Sequence, residues 1–331
     1  MTFMFMTILG TCITASSYTW MMMWVGLEIN LLSLIPLFKD NYNKLSAEAA
    51  MKYFLAQAFA SSIILWSMMT MSNDQLAEGP PYSSFTSTLI IIALMIKMAA
   101  APFHFWFPEV MSGTSWSLAL ILMTWQKIAP MVMLMNNFID PVILSLAIMV
   151  SSIFSGIQGM NQMNLKKIMA YSSINHTSWM IAAILTTTTS WLNYFILYTL
   201  LTAAIVLMMY VYNINSFEQL VYVLHNQKNL KVMFFASFLS LGGLPPFLGF
   251  FPKWMTAHLF IIQEFYLTGM ILIMLTMITI YFYVRIVMAT FSLKTDESLI
   301  IMFTSLNMIH ITLNMISILG LLACHMPYML L

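Results

Sequence analysis

Apolar runs of about twenty residues follow one another along this chain with only short polar gaps, and a run of that length crosses the hydrocarbon core of a bilayer as a helix. Only 7% of the 331 residues are charged, against about 25% in a soluble globular domain. In lipid, backbone polar groups must be satisfied inside the protein, so the expected fold class is an all-α polytopic membrane protein. Eleven spans are expected, at roughly 2–17, 20–38, 50–71, 85–111, 115–136, 141–158, 165–186, 191–212, 232–261, 266–291 and 302–324. The connections are short, so neighbouring helices are expected to be antiparallel within a single membrane domain, 1–331. The longest polar stretches are 73–84 and 213–231. No basic n-region with a small-residue cleavage site opens the chain, so it is expected to begin directly as a spanning segment.

Loop charges give the expected orientation. With eleven spans, the N-terminus and the loops after even-numbered spans share one side. That side holds Lys39, Lys44, Lys52, Lys166, Lys167, Lys228, Lys231 and Lys294. The opposite loops carry Asp74, Glu78, Asp140 and Glu264 and no basic residue. The positive-inside rule therefore puts the N-terminus inside and the C-terminus outside. The chain also has 35 methionines against a single arginine, Arg285. A mitochondrial genetic code that reads an extra codon as Met produces such a bias; base-composition drift in another genome is the alternative. With mitochondrial synthesis, the location is the inner membrane, with the N-terminus in the matrix and the C-terminus in the intermembrane space.

Several function classes drop out. A net charge of +1 gives no reason to expect nucleic acid. Two cysteines, Cys12 and Cys324, fall short of the four ligands of an iron–sulfur cluster. No glycine-rich nucleotide-binding motif is present, and no histidine pair has the spacing of a metal site. The expectation is that this chain itself binds no cofactor and no metal.

The charges left inside spans carry the functional signal. Glu28, Lys97, Glu109, Lys127 and Lys253 all lie within apolar runs. Each costs roughly 2.5–3.5 kcal/mol at bilayer depth, and such residues usually face a bundle interior or water. For any one of them the plain alternative is an ion pair or a helix–helix tether. Arg285 lies near a span end, where it can snorkel to the interface. Lys97 precedes Pro102, Lys127 precedes Pro130, and Lys253 follows Pro245 and Pro246. Proline frees a helical carbonyl, and broken helices at membrane depth are tolerated where they are buried in protein or line a wet cavity. Lysine suits proton handling there, because its charge state responds readily to its surroundings. His104, Glu109 and His176 are further candidates for the path. For His176, within Ser172–Thr177, an interhelical hydrogen bond reads equally well. His258 and His310 read as packing residues, and His225 as a loop residue.

The two overlong, proline-broken spans also resemble each other. APFHFWFPEV at 101–110 aligns with PPFLGFFPKW at 245–254 at a constant offset of 144 residues, which sets Glu109 opposite Lys253. The offset equals five spans, so the second copy is expected to be inverted relative to the first, as in transporter cores with ion sites at paired helix breaks. Repeat one is expected at about 1–138 and repeat two at about 139–291, followed by the C-terminal helix at about 302–324.

The segments GLEIN, KMAAAPFHFWFPEV, TWQKIAP, KKIMAYSSINH and LSLGGLPPFLGFFPKW occur in this order. Over essentially the whole chain they resemble the mitochondrially encoded NADH dehydrogenase subunit 2 family, antiporter-like membrane subunits of respiratory complex I. The resemblance implies proton translocation along a central hydrophilic axis, whose glutamate falls on Glu28 and whose lysines fall on Lys97, Lys127 and Lys253. It implies eleven helices, as in the animal form, where bacterial relatives have fourteen. It also implies that NADH, FMN, iron–sulfur clusters and ubiquinone reside in other subunits, and that the partners are other complex I subunits, including neighbouring antiporter-like ones, and membrane lipids. The sequence departs from the family in Ala99–Ala101, which replaces a more glycine-containing version. A stand-alone cation/proton antiporter and a purely structural membrane subunit are the alternatives.

Overall fold

A computed structural model describes residues 2–39, 44–76, 84–137, 140–225 and 228–292. The expected eleventh span at 302–324, with His310 and Cys324, lies outside the described residues, as do Lys294 and Glu78. The chain divides into two compact units, Met1–Ser151 and Ser152–Leu331. This division by compactness differs from the repeat boundary expected at 138/139.

The first unit opens with α1 (Thr2–Ser16) and α2 (Trp20–Leu34), which continues as a 3₁₀ turn over Ile35–Phe38. Two glycines let α1 and α2 touch backbone to backbone. A Cβ on Gly26 would meet the Thr14 methyl at 2.6 Å and the Gly10 carbonyl at 2.9 Å, and one on Gly10 would meet the Gly26 carbonyl at 2.9 Å. Small residues at helix crossings are the usual means of close packing in lipid.

Next comes α3 (Lys44–Leu76), 33 residues long, about 50 Å at the helical rise and longer than the expected span at 50–71. Its first turns, KLSAEAAMK, are rich in good helix formers. Lys44, Glu48 and Lys52 therefore ride on the helix and not in a loop. Trp24 of α2 is tied to α3 by donating its indole N–H to the Ser61 carbonyl at 3.1 Å.

The expected span at 85–111 is broken into α4 (Ser84–Met98) and α5 (Trp106–Gly113). The expected span at 115–136 is broken as well, into α6 (Trp116–Met123), a 3₁₀ turn at Trp125–Lys127 and α7 (Ile128–Asn137). Here the expectation is corrected in detail. The interruption precedes Pro130, which sits in the first turn of α7, where proline is tolerated because no N–H is needed. Then α8 (Pro141–Met160) follows, with the unit division inside it.

In the second unit, α9 (Leu165–Thr186) is buried along nearly its whole length by packing against α10 (Thr188–Val211), α13 (Phe250–Ile262) and α14 (Tyr266–Ser292). The expected polar connection 213–231 contains a helix, α11 (Phe217–His225), so His225 ends a helix and is not a loop residue. A capping box starts α11: the Gln219 side chain accepts from the Ser216 N–H at 3.3 Å, and Ser216 Oγ accepts from the Gln219 N–H at 3.4 Å. The span expected at 232–261 is broken into α12 (Lys228–Gly242) and α13. Arg285 of α14 donates both guanidinium arms to the carbonyls of Met160 and Gln162, capping the end of α8.

Among the described residues there is no strand, only an isolated bridge between Asn164 and Ser216. Six described helical stretches are long and apolar enough to cross a membrane, and 2–16, 85–98 and 231–242 are shorter apolar helices. The chain is a multi-pass membrane protein.

Gly26→Ala is expected to destabilise the first unit by about 1–3 kcal/mol through overpacking, read as a lower thermal midpoint of the detergent-solubilised protein. Gly242→Ala is the control, because its Cβ would meet only the Tyr283 and Ile280 side chains at 3.5 and 3.6 Å, and the midpoint should not move.

Candidate functional site: three buried lysines at helix breaks

The first break is closed by the backbone itself. Ala99 follows the end of α4 with φ 57°. Its N–H donates to the Ile96 carbonyl at 3.1 Å, and the Ala100 N–H to the Met95 carbonyl at 3.0 Å, a Schellman closure. The second break repeats the pattern. Gly243, with φ 79°, donates to the Ser240 carbonyl at 3.0 Å, and Leu244 to the Leu239 carbonyl at 3.4 Å. The following turns match too. Phe103 N–H reaches the Ala100 carbonyl at 3.0 Å and Phe107 N–H the His104 carbonyl at 3.0 Å; Phe247 N–H reaches the Leu244 carbonyl at 2.9 Å and Phe251 N–H the Leu248 carbonyl at 3.2 Å. All four pairs keep the offset of the sequence repeat. Pro102 lies in the first break, after a cis peptide bond, and Pro245 and Pro246 lie in the second.

Lys97, in the last turn of α4, is only 7% exposed; Lys127 is 3% and Lys253 8% exposed. Lys97 and Lys127 line one cavity of about 20 Å³, room for an ordered water. Asn30, Tyr53, Gln57 and Gln126 also line it. Gln57 of α3 donates to the Lys97 carbonyl at 3.4 Å, and Trp106 of α5 donates its indole N–H to the Ile96 carbonyl at 3.2 Å. Gln126 donates to Asn30 Oδ1 at 2.9 Å, which ties α2 to the 3₁₀ turn that carries Lys127. The Lys127 ammonium lies 5.8 Å from the centre of the Phe107 ring, within cation–π range.

Glu28 is close enough to Lys97 for their charges to attract, but the two do not form a direct ion pair. One carboxylate oxygen, Oε2, is buried without a hydrogen-bond partner. Lys253, in the first turn of α13, reaches back across its own break and donates to the Gly242 carbonyl at 2.7 Å. Gly243 makes that room, since a Cβ there would meet Lys253 Cδ at 2.9 Å and Nζ at 3.1 Å.

The remaining candidates separate. His104 is fully buried in the first break, its ring 4.4 Å from that of Phe105. His176 of α9 hydrogen-bonds the Tyr194 hydroxyl of α10 through Nδ1 at 2.9 Å and packs on the Tyr198 ring at 4.9 Å, which is the interhelical bond weighed from sequence. Glu109 faces away from the cavity. It accepts from Lys52 of α3 at 2.7 Å, and Lys52 also pairs with Glu48 at 2.7 Å. Among the described residues, no group of three or more His, Cys, Asp or Glu could hold a metal ion. Sequence reasoning missed Asn30, Gln57 and Gln126 as side chains of the site. Their signal was available, since an amide in the middle of an apolar span is itself uncommon and needs a partner.

Comparison with known proteins completes the description. The family model for the membrane part of NADH:quinone oxidoreductase/Mrp antiporters matches residues 17–283. A relative from Anopheles gambiae named NADH-ubiquinone oxidoreductase chain 2 is 44% identical over 99% of this chain and 97% of its own length. One of the same name from Locusta migratoria is 39% identical over 98% of this chain and 95% of its own. A solved chain from respiratory complex I of Thermus thermophilus, determined with bound aureothin, superposes with a TM-score of 0.84 at 26% identity, covering 96% of this chain and 77% of that one. A chain of the Mrp complex from Dietzia, at 15% identity and a TM-score of 0.75, shares the fold. Paired helix breaks, buried lysines and these likenesses along nearly the full length lead to one conclusion: the chain belongs to the NADH-ubiquinone oxidoreductase chain 2 family, within the wider group of NADH:quinone oxidoreductase/Mrp antiporter membrane proteins.

Proposed function

We propose that this chain is a core membrane subunit of a proton-pumping NADH:ubiquinone oxidoreductase of the mitochondrial inner membrane. It translocates protons through Glu28, Lys97, Lys127 and Lys253, with His104 and His176 as further candidates. The observation that carries this reading is the shared polar cavity of Lys97 and Lys127, beside a broken helix and two interhelical amide contacts. Ionisable groups at that depth are candidates for function by default. The closely matching hydrogen bonds of the two breaks support the reading of two inverted five-helix repeats within eleven spans. Relatives of the same name at 39–44% identity over nearly the whole chain favour a complex subunit over a stand-alone antiporter.

The residues divide the work. A charge change reaching Glu28 alters its attraction for Lys97. Lys97 then exchanges a proton by way of the cavity with Lys127, and the proton passes on toward Lys253. Moving one charge against a membrane potential costs about 2.3 kcal/mol per 100 mV. In this reading that energy comes from other subunits, which hold the NADH, FMN, iron–sulfur and ubiquinone chemistry, and this chain binds none of these groups. Its partners are those subunits, including neighbouring antiporter-like ones, and lipid. The N-terminus lies in the matrix and the C-terminus in the intermembrane space.

Three outcomes are expected. Lys97→Met lowers proton uptake per NADH oxidised in the assembled complex, and unchanged pumping with normal assembly overturns the reading. Gly243→Ala, which crowds Lys253 and places a side chain at φ 79°, lowers pumping without removing any charge, measured in the same vesicle assay. Tyr18→Cys, fully exposed between α1 and α2, is labelled by a membrane-impermeant maleimide in mitoplasts, whereas Met163→Cys is labelled only after permeabilisation; the reverse pattern overturns the orientation.

A further inference from the structure

Glu109 occupies in the first copy the place that Lys253 holds in the second, yet the two side chains do different things. Lys253 turns back to the carbonyl at its own break. Glu109 turns away, to Lys52. The cluster lies on one face of α3 that meets the broken helix at three successive points. Lys52 holds Glu109 at 2.7 Å. Tyr53 packs its ring edge-on against Trp106 at 5.9 Å. Gln57 reaches the Lys97 carbonyl. Glu48, one turn before Lys52, pairs with it at 2.7 Å and pre-orients the ammonium toward α5.

α5 needs such an anchor. It is eight residues long and has no side-chain hydrogen bond at its N-cap. Too short to be stable alone, it takes its position from what it touches. Two consecutive residues of α5 face the polar centre: Trp106 bonds the Ile96 carbonyl, and Phe107 lies beneath the Lys127 ammonium. A shift at Glu109, two residues on, moves the Phe107 ring that Lys127 rests on. All three side chains of the cluster are partly exposed; an isolated exposed ion pair is worth little, and the joining of three charges in one network is what gives this one weight.

We propose that Glu109 is a positioning residue: through the Glu48–Lys52–Glu109 cluster, α3 fixes the half-helix α5 and thereby holds Phe107 against Lys127. Glu109 then carries no proton itself. The inference rests on the reading of Lys127 as a member of the proton path.

The test uses the assembled complex in membrane vesicles, with NADH oxidation and proton uptake measured together and assembly checked on native gels. Glu109→Gln and Lys52→Met are each expected to lower protons taken up per NADH by about twofold or more. Lys52→Arg is expected to retain pumping, and the exchange Lys52→Glu with Glu109→Lys to restore it, a rescue that loss of one proton carrier would not permit. If Glu109→Gln fails to assemble, Lys52→Met carries the same test with both carboxylates in place. Normal pumping in Lys52→Met, or no rescue by the exchange, overturns the proposal. Normal pumping in Lys127→Met instead overturns the underlying reading, so the two failures are distinguishable.

Discussion

A carbonyl that loses its helical partner inside a bilayer has no water to turn to, and the rest of this structure depends on how that need is met. Each unpaired backbone group in hydrocarbon costs several kcal/mol. Both breaks meet it first by local closure, with Ala99 and Gly243 in the left-handed region. They meet it next by side-chain donors from neighbouring elements: Gln57 and Trp106 in the first copy, Lys253 in the second. These donors are polar groups drawn to depth by the break. Gln57 and Trp106, which serve the first break, line the same polar cavity as Lys97 and Lys127.

The same accounting separates buried polar groups that hold the fold from those suited to chemistry. Most of the serines and threonines return their hydroxyls to carbonyls three or four residues earlier in their own helices, as Ser172, Ser173, Thr177 and Ser178 do along α9. Asn175 reaches Thr279 and His176 reaches Tyr194, so these link helices. Lys97 has no such fixed use. Its carbonyl is held by Gln57, and the residue lines the cavity within reach of the charge of Glu28. Lys97 is thus fixed through its backbone while its side chain borders the cavity.

Much of this was legible in the sequence because the bilayer imposes so strong a rule. The all-helical membrane fold, the breaks at Pro102 and Pro245–Pro246, and the three buried lysines follow from apolar runs interrupted by charge and proline. Two features gave no comparable signal. The capping box of Ser216 and Gln219 hides in a segment whose polarity reads as a loop. The interruption ahead of Lys127 has no proline at the point of rupture; Thr124 and a 3₁₀ turn make it, and the Gln126–Asn30 hydrogen bond that ties the turn to α2 joins residues 96 apart in sequence. Glu109 was ambiguous for another reason. Its partner Lys52 is 57 residues away in sequence, and no periodicity reveals which face of α5 meets α3.

The bond from Lys253 to the Gly242 carbonyl makes one side chain serve two bodies, the end of α12 and the start of α13. A hydrogen bond from a charged donor is roughly twice as strong as one from a neutral donor. The charged donor therefore makes this a strong clasp between the two half-helices. The side chain is thus a strap across its own break, and a movement that parts the end of α12 from the start of α13 has to stretch that bond first.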